Sequence, residues 1–220
     1  MCKKLTGWVQ EHPYSYWLVY MIFYLTGFFL VEQFVEAKYW ISCPIDGQIP
    51  FMEGFIIPYI SWLLLMPMSL LFYMMYEKED FLDLCMLMFC GMTISLILYV
   101  IFPNGLQLRT EIVRDNFCSR LAKLIYRMDT PTNVCPSIHV SSSVAISIVT
   151  LRSRLGKEHP IWAGLIVFWM VVICISTFFV KQHSVVDALC GAALTALLCI
   201  PVYCFDWRSA VKKTRLHFLV

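Results

Sequence analysis

Apolar and polar positions along this chain alternate in blocks rather than residue by residue. Six apolar runs, Tyr14–Val31, Phe55–Tyr76, Phe81–Pro103, Ser137–Leu151, Ile161–Val180 and Val185–Phe205, are separated by polar connectors. A helix needs roughly 20 mostly apolar residues to cross a bilayer core. Each run therefore predicts a membrane-spanning helix, and together they predict an all-α, six-span transmembrane bundle. The fourth run is the shortest and carries Ser141, Ser142 and Ser143. It is expected inside the bundle rather than against lipid, because small residues let helix backbones approach closely. Gly191, Ala192 and Ala193 predict a similar close approach in the sixth run. Trp17, Trp40 and Trp62 fall near run ends, where interfacial aromatic anchors sit.

One connector, Asn104–Pro136, is too long for a tight turn. Its middle, Asn116–Arg127, sets Phe117, Leu121, Leu124 and Ile125 against Arg120, Lys123 and Arg127. That spacing predicts an amphipathic helix lying on the membrane surface, between the third and fourth spans. Two readings of it stand side by side: a solvated connector, and a lid or lipid-access element over a site.

Composition supports the membrane reading. Of 220 residues, 60% are hydrophobic and 15% charged, against about 45–50% and about 25% in soluble domains. The length suits one domain spanning residues 1–220, and the apolar runs leave no room for a second. A net charge of +2, with no Lys/Arg-rich block, excludes nucleic acid as an expected partner.

Of ten cysteines, Cys85, Cys90, Cys174, Cys190, Cys199 and Cys204 lie in apolar runs, where cysteine acts as a small hydrophobe. Cys43, Cys118 and Cys135 lie in connectors without metal-ligand spacing, and a disulfide among them stays open. Lys3 and Lys4 precede a first run of full span length with no small-residue cleavage site after it. A retained first helix is expected, not a cleaved signal.

With the N-terminus inside, ten of the 17 Lys and Arg fall on the inner side, chiefly in Arg152–Lys157 and the C-terminal tail. The positive-inside rule then predicts a multi-pass protein of the plasma or cytoplasmic membrane with both termini cytoplasmic.

In that topology three polar clusters meet at the outer face. The first is Phe102–Arg109, at the end of the third run. The second is Cys135-Pro136-Ser137-Ile138-His139, opening the fourth. The third is Ser176–Asp187, closing the fifth run and opening the sixth. Ionisable groups at membrane depth are functional candidates by default. Pro-Ser at a helix start leaves backbone N–H groups and a positive dipole end facing the surface, which suits an anion. His139 is placed to donate a proton to a leaving oxygen. His183 and Asp187 are four apart, so on a helix the carboxylate can orient one ring nitrogen and free the other as nucleophile or base. Arg109 and Lys181 can neutralise phosphate oxygens.

Taken singly, each has a plainer reading. His139 is an interfacial histidine, Arg109 pairs with Glu111 or headgroups, and Lys181 snorkels to the interface. His183 and Asp187 cap a helix or bind a metal. No third ligand stands at matching spacing, so no metal and no cofactor are expected.

Pro136-Ser137-Ile138-His139 matches a Pro-Ser-x-His motif, and Ser176, His183 and Asp187 match Ser-Arg-x5-His-x3-Asp in spacing. Residues 103–187 thereby resemble the type 2 phosphatidic acid phosphatase superfamily, whose membrane branch also has six spans. The resemblance implies that His183 attacks phosphorus to form a phosphohistidine, Asp187 orients it, and His139 protonates the leaving alcohol. It implies that Arg109, Ser137, Ser176 and Lys181 bind the phosphate, with fixed cations and amide dipoles stabilising charge.

The first motif, Lys-x6-Arg-Pro, is not intact. Arg109 is followed by Thr110 and no lysine lies between Lys78 and Lys123, so Arg109 is assigned as the surviving arginine, with Arg114 its rival. The arginine expected after Ser176 is Thr177, and Lys181, one helical turn on, is expected to lean back and supply that cation.

The expected function is hydrolysis of a membrane lipid phosphate, a monoester or diester, at an outward site facing the bilayer. The alternative is a phosphotransferase that moves a phospho-headgroup to a lipid alcohol acceptor, as the inositol-phosphoceramide and sphingomyelin synthase branch does. A catalytically silent lipid-binding protein is the reading from another class.

Overall fold

A computed structural model describes residues 2–220, with side chains from Gly7 onward. Among the described residues the regular structure is helical apart from one two-residue strand pair. In order come α1 (Cys2–Glu11), a 3-10 segment (Pro13–Val19) running into α2 (Tyr20–Phe34), β1 (Tyr39–Trp40), α3 (Ile56–Tyr76), α4 (Lys78–Ile101) and β2 (Asn104–Gly105). Then follow α5 (Phe117–Met128), α6 (Ile138–Arg152), α7 (Arg154–Glu158), α8 (Pro160–Phe179), α9 (Val185–Cys204) and α10 (Trp207–Lys212).

Among the described residues, five helical stretches are long and apolar enough to cross a membrane: Pro13–Phe34, Glu53–Tyr76, Lys78–Ile101, Pro160–Phe179 and Val185–Cys204. These mark an integral membrane protein. They carry exposed Phe23, Leu64, Phe168 and Leu197, side chains that suit lipid rather than water.

The fourth of the six expected runs is not among these five. That run forms α6, of 15 residues, about 22 Å long against a hydrocarbon core of about 30 Å. Serine caps shorten it at both ends: Ser137 opens α6 and Ser153 opens α7. Helix α6 is the core of the bundle, packed against α3, α4, α8 and α9. Ser141, Ser142 and Ser143 are buried there, and Ser142 Oγ bonds the carbonyl of Ile138 at 2.6 Å.

Backbone chemistry sets the other boundaries. Helix α4 stops at Ile101 because Pro103 disfavours a helical residue before it. Helix α5 begins after Asn116, whose side chain accepts the Ser119 N–H. It packs Ala122, Leu121 and Ile125 against Ile56, Tyr59 and Val180 and leaves Phe117, Leu124 and Arg120 exposed.

One end of the bundle carries the loops that matter. Strand β1 pairs parallel with β2, Tyr39 with Asn104 and Trp40 with Gly105. A Cβ on Gly105 would sit 2.8 Å from the Trp40 ring and 3.0 Å from the Pro131 carbonyl, so only glycine fits. Asn104 is fully buried. Its side-chain oxygen accepts the N–H groups of Val134 and Cys135 at 3.0 and 2.8 Å, and its amide donates to the Phe102 and Cys135 carbonyls. One side chain thus ties the end of α4 to the approach to α6. At the opposite end the chain termini meet, with Trp17 Nε1 donating to the Leu219 carbonyl at 3.1 Å.

Candidate active site

The approach to α6 is fixed from two sides. Tyr99 donates to the Pro136 carbonyl at 2.7 Å, and the Ser137 N–H donates to the Asp187 carbonyl at 3.0 Å. Ser137 is fully buried and N-caps α6 by accepting the Val140 N–H. The first N–H groups of a helix have no intrahelical acceptor, so α6 presents its positive end here. His139 follows on the first turn.

Helix α8 ends at Phe179, and a short turn through Lys181, at φ 55°, leads to α9. Ser184 caps α9, and the Asp187 carboxylate accepts the Ser184 N–H at 2.8 Å, completing a capping box. His183 sits just before that cap. Its Nδ1 lies 3.4 Å from Asp187 Oδ2, and its Nε2 lies 3.2 Å from His139 Nδ1. The order Asp187, His183, His139 therefore runs as one file of side chains.

The His183–Asp187 separation is longer than a well-formed hydrogen bond. Among the described residues, His183 Nδ1 and Asp187 Oδ1 have no hydrogen-bond partner. Such contacts are often loose before substrate binds. Asp187 thus does both things considered for it: it caps a helix and it faces the histidine.

His139 is held from the far side by aromatic rings. Tyr59 stacks on it at 4.7 Å and Trp62 packs at 4.2 Å, with Trp62 Nε1 donating to Ser142 Oγ. Trp62 is therefore a buried wall of the site and not the interfacial anchor expected from its place in the sequence.

A family model of the PAP2 superfamily matches residues 92–210, more than half of the chain and all of the file just described. The chain belongs to the PAP2 superfamily. It also shares 32% identity over 71 residues with sphingosine-1-phosphate phosphatase 1 of Rattus norvegicus, covering 31% of this chain and 16% of that protein. The figures for sphingosine-1-phosphate phosphatase 2 of Homo sapiens are 32% over 71 residues, 31% and 18%. The match thus spans less than a fifth of either relative. No solved structure matches the chain.

The cations of this PAP2 site separate clearly. Arg109 is half-buried, donating to the Tyr126 and Asp129 carbonyls and, at 2.6 Å, to Gln182 Oε1 next to His183. Burial pulls the Arg109 guanidinium down in pKa, while Asp129 and Tyr126 oppose that. Burial likewise pushes the Asp129 carboxyl up, against Arg109 and His183. Arg114 is 78% exposed and pairs with Glu53 at 2.9 Å. Of the two rivals, only Arg109 reaches the residues around His183.

Lys181 does not follow its expectation. It lies beyond the end of α8 rather than a turn along it. Its ammonium donates to the Asp46 carbonyl at 2.8 Å and to the Ile49 carbonyl, tying down the 44–49 loop. Ser176 is buried and donates to the Ile173 carbonyl within α8. Neither side chain is turned to the histidines.

Several residues here carried no sequence signal. Asp46 is buried and accepts from Ser184 Oγ at 2.6 Å, Val185 N–H at 2.9 Å and Cys43 N–H at 2.7 Å. Burial opposes its ionisation, but those hydrogen bonds hold its carboxyl below the usual aspartate value. Tyr59 and Asp129 are also new, while Asn104 and Gln182 fall inside the polar clusters of the sequence without a role of their own there. A lone polar residue in a loop or span has no periodicity to reveal a partner so far away in sequence. Among the described residues, Cys43, Cys118 and Cys135 are unpaired.

A cavity of about 830 Å³ opens between residues 51–54 and 111–119, lined by Phe51, Met52, Ile112 and Phe117 together with the polar Glu53 and Arg114, and none of the histidine file lines it.

Proposed function

We propose that this chain hydrolyses a membrane lipid phosphate through a phosphohistidine on His183. The observation that carries this is the file Asp187, His183, His139, with contacts of 3.4 and 3.2 Å. A carboxylate beside Nδ1 favours the tautomer with its proton there, leaving the Nε2 lone pair free. That lone pair attacks phosphorus as the bond to the lipid oxygen breaks. His139 delivers the proton to the departing alkoxide. Water then attacks phosphorus, giving its proton to His139, and the P–N bond breaks to release phosphate with His183 restored. Arg109 and the N–H groups opening α6 at Ser137 stabilise the charge that develops.

The two histidines touch in the free site, so phosphate enters by parting them. Tyr59 and Trp62 hold His139 from behind, which makes His183 and its turn the side that yields. The named activity of the relatives, on sphingosine 1-phosphate, makes a long-chain lipid phosphomonoester the first substrate to try. In this reading α6 is a sixth, short crossing, both termini are cytoplasmic, and α5 lies on the outer membrane surface beside the cavity through which lipid arrives.

The test is turnover in detergent with sphingoid and glycerolipid phosphates, with and without diacylglycerol or ceramide, for wild type and His183→Ala. Phosphate release and an acid-labile phosphoenzyme, both lost in the mutant, support the proposal. A new headgroup-bearing lipid without phosphate release replaces hydrolysis with transfer. Neither product from any donor leaves lipid binding as the function.

A further inference from the structure

The site has one guanidinium where the family pattern has more cations: Thr177 stands for the arginine of the third motif, and Lys181 is turned away. The turn between α8 and α9 shows what stands in. Consecutive side chains leave this turn in different directions. Lys181 goes to the 44–49 loop, Gln182 goes to Arg109, and His183 goes to His139.

Gln182 is 4% exposed. Arginine only donates, so its partner at 2.6 Å must be the amide oxygen of Gln182. That fixes the amide orientation and leaves Nε2 as the other end. Among the described residues, the buried Gln182 Nε2 has no acceptor, and neither has Arg109 Nε. Buried donors without acceptors are rare and each calls for an explanation. Here two lie on groups bonded to one another, one residue from His183. Both lack the same thing, an oxygen acceptor.

From this we infer that Gln182 is a phosphate-binding residue, supplying an uncharged donor that complements Arg109 in place of the missing motif arginine. The inference rests on the lipid-phosphatase reading above and adds a specificity to it. One cation and one neutral amide suit a phosphomonoester better than a diphosphate, whose additional charge they leave unmatched.

The experiment separates a donor from a mere support. Gln182→Glu keeps an oxygen acceptor for Arg109 but removes the donor and adds a negative charge. Gln182→Met keeps the volume and removes both. Turnover of a lipid phosphomonoester and a lipid diphosphate, and the thermal shift given by orthovanadate as phosphate mimic, are measured for both variants and wild type. A lost hydrogen bond to a charged group corresponds to a drop of about 10- to 100-fold. The expected result is that drop in kcat/KM on the monoester and in vanadate affinity for Gln182→Glu, at an unchanged melting temperature without vanadate. Gln182→Met should show a similar drop even if it melts earlier. Gln182→Arg, the complementary change, should raise the diphosphate-to-monoester ratio.

Full activity and vanadate response in Gln182→Glu would overturn the inference while leaving the phosphatase reading intact, because glutamate serves Arg109 equally well. A wild type that neither turns over nor responds to vanadate would overturn both.

Discussion

Gly191 offers the sharpest test of how the site is held. A Cβ there would lie 2.4 Å from the Ser137 carbonyl oxygen and 3.3 Å from both Ser137 C and N. The obstacle is backbone, and it belongs to the residue that caps α6 two positions before His139. Ordinary contact begins near 3.4 Å, so Gly191→Ala must drive α9 and the α6 cap apart by about 1 Å, a displacement on the scale that costs about 10²-fold in rate. Overpacking of this kind destabilises by about 1–3 kcal/mol, and alanine returns about 1 kcal/mol of helix propensity. The net loss is about 0–2 kcal/mol, or a fall in melting temperature of at most about 8 °C. The variant should therefore fold in detergent and still lose about 99% of its phosphate release. Gly164→Ala is the control: nothing lies within 4 Å of its Cβ, and activity should be unchanged. Gly191→Ala with wild-type turnover and melting would refute the close packing of α9 on the α6 cap.

Arg109→Ala should cut kcat/KM by about 10-fold or more, because it removes a charged donor, whereas Arg114→Ala, at an exposed pair, should stay within a few-fold; steady-state kinetics decide. Ser184→Ala removes the α9 cap and the donor to Asp46, and should lower stability by about 1–2 kcal/mol in denaturant titration. For Asp46, hydrogen bonds hold the folded carboxyl below its usual value. The stability it adds is complete above the ordinary aspartate value of about 3.9 and is lost as pH falls through the lower folded value. Asp46→Asn should flatten that acid limb of the melting-temperature profile.

Much of this architecture was legible because apolar runs of span length have one good solution in lipid. The Pro-Ser-x-His stretch and the His183/Asp187 spacing reached the same place in space as they did on paper. What escaped reading was set by tertiary partners. Hydropathy does not register the caps at Ser137 and Ser153, so the short α6 reads in sequence like its longer neighbours. Position in a run says nothing of the ring beside His139, so Trp62 reads as an interfacial residue. Spacing gives Lys181 a helical direction, but the helix ends before it and φ 55° sends the side chain elsewhere. Asp46 had no reading at all, since Ser184 and Lys181, which bond its carboxylate and its carbonyl, come 138 and 135 residues later.

Those distances along the chain are also distances in time. A ribosome adding about 5–20 residues per second takes roughly 7–30 s to get from Asp46 to its partners on the turn into α9. Until then the loop that will brace the site has neither the lysine that ties down its carbonyls nor the serine that meets its carboxylate. Helices α2, α3 and α4 can pair as they emerge, but the 44–49 loop cannot set until the last long helix is made. The nascent chain is therefore without this brace for most of its synthesis, and an interruption before residue 181 leaves the Asp46 carboxylate without its Ser184 and Val185 donors.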